Sequence, residues 1–204
     1  MSEGPDHRAI ASWAFYDFAY TIFSMNVISL YFALLVTVDH GGQDIFYSGA
    51  LSISMITVAV SAPIFGVISD QTGRRRFPLA FLTIMSVFAT TLIGQTNLLW
   101  VGLLLFIIAN YCYQSALIFY NGMLPNVAHH SSVGIVSGYG ESLGYLGSIV
   151  GLLIVEPFVT NGGRSAAFLP TGILFLTFAI PCFIFVKDSN QNIFPVNIGK
   201  AFIT

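Results

Sequence analysis

The sequence predicts an all-α membrane protein with six transmembrane helices, and three observations carry that prediction. The chain of 204 residues is 55% hydrophobic and only 8% charged, with a mean hydropathy of +0.80, far more apolar than a soluble domain of this length needs. Its apolar residues gather in six runs, each near the roughly 20 residues that cross a hydrocarbon core at about 1.5 Å per residue. Between the runs lie short polar connections rich in Gly, Pro, Asn and Asp, the residues that stop helices.

The first run, 12–38, follows a polar leader, 1–11, expected to be cytoplasmic; the run is too long and too aromatic for a cleaved signal peptide. It reads as a retained helix. DHGGQD (39–44) separates it from the second run, 45–69, and SDQTGRRR (69–76) joins that to the third, 77–94. QTN (95–97) precedes the fourth, 98–121, and GMLPNVAHHSS (122–132) precedes the fifth, 133–155. EPFVTNGGRS (156–165) leads into the sixth, 166–186. Residues 12–186 thus form one six-helix domain, and 187–204 read as a cytoplasmic tail or the start of a linker.

Positively charged segments resist translocation, so the placement of Lys and Arg sets the orientation. With the N-terminus cytoplasmic, the inner segments hold Arg8, Arg74, Arg75, Arg76, Lys187 and Lys200, and the outer segments hold only Arg164. Both termini are therefore expected in the cytoplasm. The net charge of −2 says little about partners, and no basic tail or stripe points to nucleic acid. Cys112 and Cys182 fall inside apolar runs without metal-ligand spacing and read as packing residues. No Ser/His, His/His or Asp/Asp arrangement within the runs suggests a membrane-embedded enzyme, and no nucleotide-binding loop is present, so neither catalysis nor a cofactor is expected.

Three of the seven basic residues stand side by side in GVISDQTGRRR (66–76). A topological anchor accounts for the arginines, but not for the Asp and Gly that accompany them. G-x-x-x-D-x-x-G-R-R-R between the second and third helices resembles the signature loop of the major facilitator superfamily. Gly66, Asp70, Gly73, Arg74 and Arg75 carry the match, and Arg76 extends it; Ile68 stands where Leu is usual and Gln71 where a basic residue is common. SWAFYDFAYTIF (12–23), ANYCYQSALIFYNGMLPNVA (109–128) and VSGYGESLGYLGS (136–148) resemble the first, fourth and fifth helices of one subgroup, the autophagy-related vacuolar amino-acid effluxer-like transporters and their bacterial relatives.

The resemblance covers nearly the whole chain, but only the N-terminal half of a full transporter: six helices in a 3+3 repeat. It implies secondary active transport of a small polar solute, amino acid-like, by alternating access, in the cell inner membrane, with 66–76 as a gating loop. Members of the superfamily bind substrate near the midplane between two halves. Beyond the lipid bilayer and the solute, the expected partner is therefore a second six-helix half or a second copy; the chain could equally be a fragment. The alternative reading is a scaffold or remnant that does not transport.

Acids within membrane spans cost about 2.5–3.5 kcal/mol at the helix centre, so each invites a functional hypothesis. Asp17 shares a helix face with Tyr20, Thr21 and Ser24 at i+3, i+4 and i+7. Glu141, about two turns into the fifth helix, is expected at a similar depth. Such carboxyls suit a proton pathway; the structural alternatives are snorkelling or a hydrogen bond to a neighbouring helix. In the fourth helix Asn110, Gln114 and Asn121 return to one face with Tyr113 beside them, where they could bind a polar solute or join helices. Asn121 could instead cap the helix ahead of Gly122.

Gly134, Gly138, Gly140, Gly144, Gly147 and Gly151 set small-xxx-small spacings along the fifth helix, which let backbones approach. They read either as packing within the bundle or as a face toward a second half. His129 and His130 have no Cys, Asp or Glu nearby to complete a metal site and read as solvated loop residues.

Overall fold

The computed structural model describes residues 7–128 and 132–188. Each expected run becomes one long helix: α1 (His7–Asp39), α2 (Asp44–Thr72), α3 (Arg76–Ile93), α4 (Leu99–Val127), α5 (Val133–Gly162) and α6 (Arg164–Phe185). The last opens with a 3-10 turn over Arg164–Ala167. No strand occurs among the described residues, and the six apolar helices make this an integral multi-pass membrane protein. His129, His130, Lys200 and the tail from 189 onward lie outside the described residues.

Several helices outrun the boundaries read from sequence: α1 begins at His7, inside the expected leader, and α4 and α5 run furthest past theirs. α4 passes through Gly122 and Pro125, and α5 passes through Pro157. Proline lacks an N–H and crowds the carbonyl four residues back, which makes it a natural place to end a run. Here both prolines fall within two turns of a helix end, where little of the hydrogen-bond ladder remains to be interrupted. As a result Asn121 lies inside α4 and caps nothing. α2 runs past 69 and stops at Thr72, because Gly73 adopts the left-handed conformation (φ 62°) and its N–H donates to the Ser69 carbonyl at 3.1 Å.

α1 changes its winding along its length. Ser24–Tyr31 and Leu35–Asp39 are π-helical, with i→i+5 bonds such as Phe32 N–H to the Val27 carbonyl. Such wide turns are uncommon and concentrate at functional elements. At the end of the second one, Asp39 forms an ion pair with Arg164 at the start of α6.

The packing order explains how six helices form one unit. α1 lies against α5 and α6, α4 lies against α2 and α3, and α3 packs on α6. Exchanging α1, α2, α3 with α4, α5, α6 swaps the first four contacts in pairs and maps the α3–α6 contact onto itself. That exchange is the two-fold relation of a 3+3 repeat. α3 and α6 come close where Gly172 meets Val87 and Thr91, and Gly94 meets the Ser165 carbonyl.

α1 and α4 are the most buried helices, and they meet through side chains. A ladder of rings fills the space: Trp13 on Tyr120 (centroids 4.6 Å), Tyr16 on Tyr120 (4.8 Å), Tyr20 and Phe23 on Tyr113 (4.0 and 4.4 Å) and Phe32 on Phe106 (4.1 Å). Each such pair is worth about 0.5–1.5 kcal/mol beyond the area it buries. Polar tips in an apolar bundle need partners, and they find them. Trp13 Nε1 donates to the Tyr120 carbonyl (3.3 Å), Tyr120 Oη to the Trp13 carbonyl (3.1 Å), and Tyr16 Oη meets Thr83 Oγ1 (2.9 Å). The outward faces carry apolar stripes suited to lipid, such as Phe77, Phe81, Ile84 and Phe88 on α3.

Candidate functional site

One seam joins α1 to α5, and glycine makes it possible. The two helices run parallel, and a Cβ added at Gly140, Gly144, Gly147 or Gly151 would strike Trp13, Asp17, the Phe18 carbonyl or Ile22 in turn. The contact at Gly147 is the closest, with the Phe18 carbonyl oxygen only 2.4 Å from that position. Gly134 and Gly138 meet nothing within 4 Å. The glycine pattern therefore divides: four residues seat α1, and the two nearest the start of α5 lie open.

Along this seam sit the polar residues of α1. Thr21 Oγ1 donates to the Gly144 carbonyl at 2.6 Å, stitching the helices together through the space that the glycine leaves. The Asp17 carboxylate lies against the same Gly144, half-buried, and forms no ion pair among the described residues. Glu141, one turn earlier on α5, is exposed and close enough for its charge to act on Asp17.

Tyr20 turns toward α4. Its hydroxyl donates to Gln114 Oε1 at 3.1 Å, and both side chains are half-buried. Ser24, also half-buried, stands beside the Tyr113 hydroxyl. Asp17, Tyr20, Ser24, Gln114 and Glu141 thus form a polar strip across α5, α1 and α4 on the side of the bundle away from α3 and α6.

The structure separates the other candidates from this strip. Tyr113 is buried, its ring between those of Tyr20 and Phe23 and its hydroxyl bonded to the Tyr20 carbonyl at 3.1 Å. It backs the strip without facing into it. Asn110 is fully buried and donates through Nδ2 to Ser54 Oγ of α2 at 2.7 Å, whereas Asn121 is exposed. The shared face of Asn110, Gln114 and Asn121 does not survive as a shared environment, because α2 covers α4 at Asn110 and leaves it uncovered at Asn121. An apolar groove lies elsewhere, between α3, α5 and α6, and its lining of Ile154, Phe158, Leu169 and Ile173 faces outward.

The second cluster is the 66–76 loop, and its centre is Arg75. That side chain is 9% exposed; Nε donates to Ser69 Oγ at 2.8 Å and Nη2 to Asp70 Oδ1 at 3.3 Å. Asp70 is 79% exposed, so it braces the arginine from the solvent side. Beneath the guanidinium lies Gly122 of α4, where an added Cβ would come within 2.8 Å of Arg75 Nε. Arg74 is exposed, while Gly66 meets nothing within 4 Å.

Sequence reading missed two members of this cluster. Gly122 falls within the expected 122–132 connection, and no motif marks Asp188. Asp188 Oδ1 accepts from the backbone N–H groups of both Arg75 and Arg76, each at 2.9 Å. It therefore caps the start of α3 from the segment that follows α6. A separation of 112 or 113 residues hides such a contact from any local pattern.

Comparison with known proteins bears on the whole arrangement. A family model described as the Major Facilitator Superfamily matches residues 16–200. A protein of Aquifex aeolicus is 28% identical over 87% of this chain and 45% of its own length. An MFS-type transporter of Bacillus subtilis, YxiO, is 29% identical over 70% of this chain and 36% of its own. The multidrug resistance protein MdtG of Salmonella paratyphi B is 25% identical over 85% and 42%. The chain thus spans about half the length, or less, of the curated relatives it matches, and no solved structure matches it. With the family model covering most of the sequence and the six helices packed as two swapped triplets, the chain belongs to the major facilitator superfamily.

Proposed function

We propose that this six-helix unit forms one wall of a pathway that moves a small polar solute across the membrane, coupled to protons through Asp17 and Glu141. The single observation behind this reading is the position of Asp17: a carboxylate within a membrane span, half-buried against Gly144, without a cationic partner among the described residues. An acid placed so has a high electrostatic cost, which a purely structural role would offset with a partner.

The Tyr20 and Gln114 pair supplies hydroxyl and amide groups at the same strip, suited to a hydrogen-bonding solute such as an amino acid. The helix strings at 12–23, 109–128 and 136–148 resemble those of the amino-acid effluxer subgroup, and that resemblance supports an amino acid as the solute. In this reading a second six-helix half, or a second copy, supplies the facing wall, and the 66–76 loop lies on the cytoplasmic side. Flux measurements in proteoliposomes that hold this unit together with its facing half or second copy, with a panel of amino acids under an imposed pH gradient, test it. Gradient-dependent movement of at least one amino acid is the expected result, and none across the panel would contradict it.

A further inference from the structure

We infer that Asp188 is a positioning residue for the 66–76 loop, linking the segment after α6 to the Arg75 side chain. The inference goes beyond the transport reading and does not need it to hold.

Arg75 belongs to two sets of bonds at once. Its backbone N–H is held by Asp188, and its side chain is held by Ser69 and Asp70 of α2 and seated over Gly122 of α4. The same Asp188 oxygen also takes the Arg76 N–H, so one carboxylate fixes two successive peptide planes at the start of α3. A carboxylate at a helix N-terminus bonds amides that otherwise lack partners and complements the positive end of the helix dipole. Charge-assisted bonds of this kind are about twice as strong as neutral ones.

The geometry leaves Arg75 little freedom. With its backbone N–H fixed by Asp188 and the side chain 9% exposed, a shift of the segment after α6 moves the peptide plane from which the guanidinium extends. That shift strains the bonds to Ser69 and Asp70 or breaks them. Asp188 thus connects three parts of the bundle: the end of α6, the start of α3 and the crossing of α2 over Gly122.

NMR on the full chain in nanodiscs tests this with two readouts, the exchange of the Arg75 and Arg76 amides and the resonance of the Arg75 Nε–H. In Asp188→Ala, amide exchange should rise about tenfold or more, the fold-change expected when a charge-assisted bond is lost. The Arg75 Nε–H signal should shift in the same variant, because its bond to Ser69 is disturbed. Asp188→Asn keeps an acceptor oxygen and should give smaller changes in the same direction at both readouts, which keeps the test open if the alanine variant does not fold. Faster amide exchange with an unmoved Nε–H signal would reduce Asp188 to a local helix cap and overturn the inference. Unchanged exchange in both variants would do the same.

Discussion

The Asp17 carboxylate lies against Gly144, so that a Cβ at that glycine would sit 3.0 Å from Asp17 Oδ2 and 3.1 Å from Thr21 Cγ2. One absent side chain on α5 therefore makes room for the acid of α1 and for the Thr21 bond to the Gly144 carbonyl. Packing and polar chemistry meet at the same residue.

From this seam follows an order of stabilities. Gly144→Ala meets the movable end of a side chain and should cost about 1–3 kcal/mol, the range for overpacking. Gly147→Ala meets the Phe18 carbonyl at 2.4 Å, a backbone atom that cannot turn aside, and should cost more. Gly138→Ala meets nothing and should stabilise α5 by about 0.5–1 kcal/mol through helix propensity. Unfolding in mixed micelles checks the order, and Gly138→Ala costing as much as Gly147→Ala would contradict it.

Within the arginine run the three members should behave differently. Arg75→Ala removes a buried side chain with two partners and should destabilise by about 1.5–3 kcal/mol, the scale of hydrogen bonds to charged groups. Arg74→Ala, at an exposed position, should stay within about 0.5 kcal/mol. Equal losses by thermal denaturation would mean that the run acts only as bulk positive charge.

Two buried asparagines should respond in opposite directions. Asn110→Ala breaks the bond to Ser54 and leaves a gap between α2 and α4, with an expected loss of about 1–2 kcal/mol. Asn26 is fully buried, and neither of its amide atoms has a hydrogen-bond partner among the described residues. Asn26→Leu has nearly the same shape and no unmet polar atoms, so it should stabilise by about 1 kcal/mol or more. Denaturant titration of both variants is the measurement, and a destabilised Asn26→Leu would assign that amide a role the packing does not reveal.

Much of the fold was legible because hydropathy and helix length are properties of contiguous residues. All six spans, and the glycine spacing at 140, 144, 147 and 151, could be read from local pattern. Contacts between distant residues could not. Gly122 looked like a loop glycine until α4 ran through it, and the Asp39 pair with Arg164 joins residues 125 apart. The amides of α4 show the same limit from the other side. Helical offsets place Asn110 and Gln114 on one face, but the neighbouring helix decides that Asn110 bonds Ser54 while Gln114 stays within reach of Tyr20. The ladder of Trp13, Tyr16, Tyr20, Tyr113 and Tyr120 carried a signal that the sequence reading did not use: aromatic residues with polar tips, in spans where each tip needs a partner.

The central claim rests on Asp17, and pH-gradient-driven amino-acid flux in proteoliposomes tests it most directly. Wild-type unit, Asp17→Asn and Glu141→Gln, each reconstituted with the facing half or second copy, are compared after each is shown to be folded and inserted. The account predicts gradient-dependent flux in the wild type and its loss in Asp17→Asn, with folding intact. Flux that keeps its full dependence on the pH gradient in both variants would contradict it.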